Sequence, residues 1–138
     1  MADGDYVILV EPSAADSRLI EDCLSLDGIE VLPASSLLEA LLQQVATSSS
    51  GTTLDSSARE PVILYDTDAP ENWREALQQF LRLRPGSRVV FLSRLADAHM
   101  WIEVLDTGGY DLVMKPLRAQ EIRSVVRSAL RRASGQAA

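Results

Sequence analysis

Short runs of apolar residues alternate along this chain with longer segments in which apolar residues recur at helical spacing. The apolar runs predict five strands, at residues 6–10, 29–32, 62–65, 88–92 and 111–114. The segments of helical spacing predict five helices, at residues 14–26, 37–45, 73–83, 96–105 and 119–132. Each predicted strand is followed by a predicted helix, which is the pattern of an α/β domain.

The predicted strands are apolar throughout, rather than alternating between apolar and polar positions. Strands of this type are buried on both faces, as in a parallel sheet that helices cover on both sides. We therefore predict a doubly wound, five-stranded parallel sheet that forms a single domain over residues 1–138. The Ser/Thr-rich segment 47–60 has no periodicity and predicts a long loop, and residues 134–138 predict a frayed tail.

Composition and charge narrow the class of protein. Apolar residues make up 46% of the chain and charged residues 24%, which is typical of a globular domain. A net charge of −7 disfavours binding to nucleic acid, which requires clustered Lys and Arg. No apolar stretch reaches the ~20 residues of a membrane span, and the first residues lack the pattern of a signal peptide. We therefore expect a cytoplasmic protein without direct contact to nucleic acid or membrane. Its single cysteine, Cys23, is expected to be a buried, inert thiol.

Polar side chains follow four of the predicted strands. Glu11 follows the first strand, Asp66 and Asp68 the third, Ser93 the fourth and Lys115 the fifth. The carboxyl ends of parallel strands lie at one edge of the sheet, where ligands bind in this class of fold. These residue types suit phosphoryl transfer, because a carboxylate can be the nucleophile and because Lys and Ser can hold phosphoryl oxygens. Carboxylates can also hold Mg²⁺.

Each of these residues also has a purely structural interpretation. Asp66 is a residue type that forms turns, and Glu11 precedes the start of a helix. Ser93 can cap the fourth helix, and Lys115 can be a solvated strand end. Because all of them fall in register with the strand pattern, we favour one shared site over unrelated structural roles.

The same residues carry a resemblance to a known family. With Asp66 and Pro70, with Ser93, and with a Gly-Gly-Tyr-Asp segment leading into Lys115-Pro116, the chain resembles the receiver domain of two-component response regulators. The resemblance implies a flavodoxin-like sheet of strand order 2-1-3-4-5 with five helices. It implies that Asp66 accepts a phosphoryl group from a sensor histidine kinase or a phosphotransfer protein, and that Ser93 and Lys115 bind that group. The signal would pass on through protein–protein interaction, with no enzymatic activity beyond self-phosphorylation and autodephosphorylation of Asp66.

The metal site departs from the family pattern. The family places two adjacent acids after the first strand to hold Mg²⁺, and this chain has Glu11-Pro12 there. The remaining candidate ligands are Glu11, Asp66 and Asp68, with Asp16 as another substitute for the missing acid. Because the proline side chain offers no ligand atom, we expect Mg²⁺ to bind weakly or not at all.

Arg94 is a second departure, since the family has a small residue after the position of Ser93. Arg94 can either bind phosphate or shield the site.

These departures leave two alternatives to a phosphorelay receiver open. One is a pseudo-receiver that acts as a dimerisation or docking module without phosphorylation. The other is a small phosphatase in which Asp66 is the nucleophile and Asp68 the general acid.

The family signals through the fourth helix, the fifth strand and the last helix. Trp101, on the fourth helix, stands where the family often has a small residue. We expect Trp101 to fill the core, with a place at an interface as the alternative. Leu112 and Tyr110 lie near the position of the family's aromatic switch residue. Together, Trp101, Tyr110 and Leu112 are the candidate residues of a homodimer interface.

Overall fold

Ten regular elements alternate along the part of the chain that the structure, a computed structural model, describes, namely residues 5–48 and 60–133. The strands are β1 (Asp5–Val10), β2 (Ile29–Ala34), β3 (Val62–Asp66), β4 (Arg88–Ser93) and β5 (Asp111–Met114). The helices are α1 (Ala14–Ser25), α2 (Leu37–Ser48), α3 (Trp73–Leu83), α4 (Ala98–Thr107) and α5 (Ala119–Ala133). Each element overlaps the one that the hydrophobic pattern predicts.

The five strands are parallel and lie in the order β2-β1-β3-β4-β5. This order confirms the predicted flavodoxin-like, doubly wound sheet. Because the strands run in one direction, their carboxyl ends share one edge of the sheet. The register pairs Asp66 with Leu92 and Ser93 with Met114, so the ends of β3, β4 and β5 lie level with one another.

Helices cover both faces of the sheet, which explains why its strands are apolar throughout. α1 and α5 pack on one face, where Ile20 and Ile122 are buried. α2, α3 and α4 cover the other face. There the ring of Tyr65 packs edge to face against Phe80 and Phe91, with centroid distances of 6.1 and 5.9 Å. Within residues 5–48 and 60–133, no helix is both long enough and apolar enough to cross a membrane.

Strand β2 is two residues longer than predicted and runs through Pro33 to Ala34. A proline lacks the backbone N–H that a central strand needs for its hydrogen-bond ladder. β2 is the outermost strand on its side of the sheet, so one side of its backbone has no neighbouring strand. This edge position is where a strand tolerates proline.

Helix α2 is longer than predicted and continues to Ser48, so the first residues of the predicted loop 47–60 are helical. The hydroxyl of Thr47 donates to the backbone carbonyls of Gln43 and Gln44, at 2.9 and 3.1 Å. Such back-bonding lets a threonine remain within the last turn of a helix. Residues 49–59 of the predicted loop and the predicted tail 134–138 lie outside the described residues.

Helix α4 begins at Ala98 and ends at Thr107, two residues later than predicted at each end. Asp97 sets the beginning, because its carboxylate accepts a hydrogen bond from the backbone N–H of Met100 at 2.8 Å. Gly108 sets the end with a φ of 113°, in the left-handed region that favours glycine. The chain then turns directly into β5, which carries Lys115 at its end.

The predictions of burial for two single residues had different outcomes. Cys23 is buried, as predicted. Trp101 is 46% exposed, so the prediction that it fills the core is wrong. The α4 side chain that is buried in the core is Val104, with Met100 packed partly against the same cluster, and position 101 therefore turns outward. The indole Nε1 of Trp101 donates to Asp111 at 3.2 Å.

Candidate functional site

The residues predicted to form a site lie together at the carboxyl edge of the sheet. Asp66 is the last residue of β3 and is 1% exposed, and Ser93 is the last residue of β4 and is 2% exposed. Glu11 follows β1 directly, and Lys115 follows β5. The parallel register brings these ends together across four neighbouring strands.

Lys115 is the centre of this group. Its ammonium Nζ donates to Glu11 Oε2 at 3.0 Å, to Asp16 Oδ2 at 2.8 Å and to Asp66 Oδ2 at short distance. The Lys115 side chain is only 8% exposed, and Lys115 is the only lysine of the sequence. The three donor positions of one ammonium group are therefore directed at three carboxylates.

Asp16 reaches the site from the first turn of α1. The N-cap residue Ser13 starts this helix, and its hydroxyl oxygen accepts the backbone N–H of Asp16 at 3.2 Å. The backbone N–H of Ser13 itself donates to Glu11 Oε2 at 3.0 Å. The turn between β1 and α1 thus holds Glu11 and Asp16 within reach of the same ammonium group, that of Lys115. Sequence reasoning named Asp16 only as a substitute metal ligand and missed its ion pair with the lysine.

Glu11 is the carboxylate with the most unfavourable surroundings. Its side chain is fully buried, and its Oε1 has no hydrogen-bond partner among the described residues. Burial, together with the neighbouring Asp66 carboxylate, raises the pKa of Glu11 to about 7. A proton on Glu11 lets its carboxyl group donate to the Asp66 carboxylate and thereby removes one negative charge from the site.

Asp66 and Lys115 keep their charges despite burial. Burial acts to raise the pKa of Asp66, but hydrogen bonds with Glu11, Lys115 and the Asp68 backbone outweigh it and hold this pKa below its ordinary value. Burial acts to lower the pKa of Lys115, whereas its hydrogen bonds to Asp16, Asp66 and Glu11 raise it above the ordinary value. At neutral pH the site therefore contains an ionised aspartate beside a charged lysine, as a carboxylate nucleophile requires.

Asp68 lies beside Asp66, but its side chain points to a different partner. Its backbone N–H donates to Asp66 Oδ1 at 2.7 Å, within the turn that follows β3. Its carboxylate Oδ2 accepts a hydrogen bond from Arg94 Nε at 2.9 Å. Of the three predicted metal ligands, the structure therefore groups Glu11 and Asp66 around Lys115 and pairs Asp68 with Arg94.

Ser93 ends β4 without capping α4. Its hydroxyl oxygen accepts the backbone N–H of Leu95 at 3.0 Å, and its backbone carbonyl accepts the N–H of Lys115 at 2.9 Å. The cap of α4 is Asp97 instead, so the structural alternative for Ser93 is wrong. Its role as a phosphoryl ligand stays a prediction.

The described residues do not form a cage for the Mg²⁺ ion that the resemblance implies. Within residues 5–48 and 60–133, no group of three or more His, Cys, Asp or Glu side chains is arranged to hold a metal ion. The carboxylates of Glu11, Asp16 and Asp66 converge on the Lys115 ammonium group, and Pro12 offers no ligand atom. A metal role for Glu11, Asp66 and Asp68 stays a prediction.

A second surface lies between α4, β5 and α5. Trp101, Leu105, Tyr110 and Leu112 line an open cleft there. The Tyr110 hydroxyl is hydrogen-bonded to the hydroxyl of Ser128 on α5 at 2.6 Å, which fixes the tyrosine against that helix. The three residues predicted for an interface therefore share one surface, next to the strand that carries Lys115.

Comparison with known sequences gives relatives among transcriptional regulators, although no family model matches the chain. The chain is 29% identical over 133 residues to KdpE, the KDP operon transcriptional regulatory protein of Escherichia coli K12, which covers 96% of this chain and 54% of KdpE. It is 28% identical over 129 residues to the probable transcriptional regulator ycf27 of Pyropia yezoensis, which covers 94% of this chain and 49% of ycf27. The chain spans about half the length of the curated relatives it matches.

Solved structures with a similar fold include receiver domains of response regulators. A response regulator receiver domain protein of Clostridium thermocellum matches with a TM-score of 0.76 at 22% identity, over 93% of this chain and 95% of that chain. The beryllofluoride-activated NtrC4 receiver domain dimer matches with a TM-score of 0.75 at 16% identity, over 93% and 98% of the two chains. The CheX–CheY–BeF₃–Mg²⁺ complex of Borrelia burgdorferi matches with 0.74 at 17% identity, over 90% and 87%. The chain thus has the receiver-domain fold, and the resemblance predicted from its sequence is confirmed.

Proposed function

We propose that this chain is a signalling receiver module of a two-component phosphorelay, in which Asp66 accepts a phosphoryl group. The observation that carries the proposal is the buried Asp66 carboxylate, bonded to the only lysine of the chain at the carboxyl edge of the sheet. The Ser93 hydroxyl lies at the end of the neighbouring strand. This is an arrangement of nucleophile, cation and hydroxyl donor that suits an acyl phosphate.

In the proposed reaction, an oxygen of Asp66 attacks the phosphorus atom of the donor. The new bond joins this oxygen to phosphorus, and the bond between phosphorus and the leaving group breaks with its electron pair on the leaving group. The transferred group carries negative charge on its outer oxygens. In this proposal Lys115 and Ser93 hold those oxygens by hydrogen bonds, of which the one from lysine is charge-assisted.

The proposal also covers the phosphoryl donor and the cellular location of the protein. The phosphoryl donor is a sensor histidine kinase or a phosphotransfer protein, and the location is cytoplasmic, as expected from the sequence. The KdpE and ycf27 relatives are transcriptional regulators, which supports a role in signalling. We assign no nucleic-acid contact to this domain, in line with its net charge of −7.

Incubation with acetyl phosphate is expected to add one phosphoryl group to the parent protein and none to Asp66→Asn. Intact-mass spectrometry measures the addition, and peptide mapping locates it. Asp106→Asn, which changes an exposed aspartate on α4, is the matched control and is expected to react like the parent.

If neither acetyl phosphate nor a histidine kinase adds a phosphoryl group to Asp66, the proposed reaction is wrong. The second candidate, a docking module that works without phosphorylation, would then take its place. The observation that favours this candidate is the set of carboxylates that converge on a lysine rather than forming a metal cage.

Both candidates place the interaction surface on α4 and β5. Large apolar side chains are exposed there, namely Trp101, Ile102 and Leu105 on α4 and Met114 on β5, and Leu95 is exposed in the loop before α4. Exposed apolar surface of this kind is typical of a contact with another protein. We propose that it forms a homodimer interface, and the NtrC4 receiver neighbour, solved as a dimer, supports this arrangement.

Replacing Ile102 with aspartate is expected to abolish self-association, because the interface would then bury an unpaired charge. Sedimentation equilibrium over a wide range of protein concentration measures the change. Leu38→Asp is the matched control, since Leu38 is an exposed leucine on α2, a helix that packs near β1 and β2. A parent protein that stays monomeric at every concentration, before and after phosphorylation, would exclude the homodimer.

A further inference from the structure

An ion pair lies directly beside the proposed phosphoacceptor. Asp68 connects the two groups, because its backbone N–H donates to Asp66 Oδ1 at 2.7 Å while its carboxylate accepts Arg94 Nε at 2.9 Å. Arg94 itself follows Ser93, the last residue of β4. The guanidinium group is therefore held by the residue two positions after the proposed nucleophile.

The Arg94 guanidinium has unused capacity for hydrogen bonds. Its Nε donates to Asp68, whereas neither Nη1 nor Nη2 makes a hydrogen bond among residues 5–48 and 60–133. The Arg94 side chain is 69% exposed. The hydrogen bond and the charge of the Asp68 carboxylate raise the pKa of Arg94, and the charge of Asp66 adds a smaller effect in the same direction.

Little positive charge around Asp66 is available to neutralise a transferred phosphoryl group. Lys115 is already bonded to Glu11, Asp16 and Asp66, and the described carboxylates form no metal cage. Phosphorylation of Asp66 adds a group with three acceptor oxygens and further negative charge. An arginine suits this group better than a second lysine would, because its planar fork binds phosphate through two parallel N–H···O bonds.

We propose that Arg94 is a ligand of the phosphoryl group on Asp66 and that Asp68 binds the Arg94 guanidinium group while Asp66 is unphosphorylated. This inference rests on the proposed function. The phosphoryl group, with its larger charge, competes with Asp68 for the guanidinium group. Arg94 then takes over part of the neutralisation that a metal ion would otherwise supply.

The inference is tested by the initial rate at which acetyl phosphate modifies Asp66, measured by intact mass with a chelator present. Arg94→Gln is expected to lower the rate about tenfold, the effect of one charge-assisted hydrogen bond in the transition state. Arg94→Lys is expected to restore part of the rate. Asp68→Asn is expected to raise the rate in the parent background and to have no effect in the Arg94→Gln background, because the role of Asp68 is to hold Arg94.

Arg82→Gln is the matched control, since it removes an exposed cation from the last turn of α3 and is expected to leave the rate unchanged. A second measurement is independent of rate: the NMR signal of the Arg94 Nε–H is expected to shift when Asp66 is phosphorylated. A parent that reacts at Asp66 while Arg94→Gln reacts equally fast or faster overturns the inference and leaves the proposed function intact. A parent that reacts only when Mg²⁺ replaces the chelator overturns the inference alone. A parent that accepts no phosphoryl group at Asp66 from acetyl phosphate or from a histidine kinase, with or without Mg²⁺, overturns both.

Discussion

Replacing Lys115 with methionine is expected to lower the free energy of unfolding by about 3–5 kcal/mol at pH 8 and by less at pH 5. The variant removes the cation that contacts Glu11, Asp16 and Asp66 together. The side chains of Glu11 and Asp66 are almost fully buried, so water cannot replace the ammonium group as their hydrogen-bond donor in the variant. Breaking a buried ion pair from one side leaves an uncompensated charge, which is the origin of this large effect.

The pH dependence follows from the protonation of the carboxylates. Without Lys115, the folded-state pKa of Glu11 rises further above its value in the unfolded chain, because the hydrogen bond from Lys115 acts to lower it. A group of this kind binds more protons in the folded state, so folded-state stability falls as pH rises through that pKa. At pH 5 the folded variant keeps a proton that neutralises part of the site, and at pH 8 this proton is lost.

Urea unfolding at pH 5 and pH 8, followed by circular dichroism, measures both values. Lys115→Arg keeps the charge and is expected to lose much less stability than Lys115→Met. Arg82→Gln controls for the loss of a cation from the surface. Equal stability of Lys115→Met and the parent at pH 8 would contradict the role assigned to the lysine. The phosphorylation rate of Lys115→Met at pH 8 is expected to fall as well, because Asp66 loses the charge that keeps it ionised.

The fold could be predicted from the sequence because each strand carries its own burial pattern. β3 is buried at every position and reads as a continuous apolar run that ends on Asp66. The same run placed Asp66 at the carboxyl edge, and the alternation of strands and helices placed Glu11, Ser93 and Lys115 beside it. The chemistry of the site is thus encoded by residue position along each strand, which a sequence shows directly.

The features that could not be predicted from the sequence are the orientations and contacts of individual side chains. Successive residues of a helix are rotated by about 100° around its axis, so neighbouring positions of α4 face different directions. Met100 and Ile102 on either side of Trp101 are also apolar, so the sequence does not show which of the three side chains faces the core. The ion pair of Asp68 with Arg94 joins residues 26 positions apart. The geometry of this ion pair depends on the register between β3 and β4, which the hydrophobic pattern does not define to within one residue.

Glu11→Gln is expected to change stability in the opposite direction from Lys115→Met, and only at high pH. The pKa of Glu11 is raised from 4.5 to about 7 by burial and by the neighbouring Asp66 carboxylate. This shift corresponds to about 3 kcal/mol of unfavourable free energy for the ionised form in the folded state. A folded-state pKa above the unfolded value means that the stability present below pH 4.5 is lost as pH rises to 7.

Glutamine reproduces the protonated form of Glu11 at every pH. Its carbonyl oxygen can accept from Ser13 and Lys115, as Glu11 Oε2 does, and its amide supplies a hydrogen-bond donor in place of the Oε1 that has no partner among the described residues. The variant is therefore expected to match the parent near pH 5 and to exceed it by about 2–3 kcal/mol at pH 8. Urea unfolding across this range measures the difference, with Glu30→Gln, an exposed residue of β2, as the control.

A difference between Glu11→Gln and the parent that does not change from pH 5 to pH 8 would show that Glu11 is already ionised without penalty in the folded protein. The expected result has a direct consequence for the site. A carboxyl group that titrates near pH 7 makes the charge beside Asp66 depend on pH, so the parent's phosphorylation rate would carry the same dependence and the rate of Glu11→Gln would not. The two measurements together separate a buried glutamate that only destabilises the fold from one that also sets the charge of the phosphoryl site.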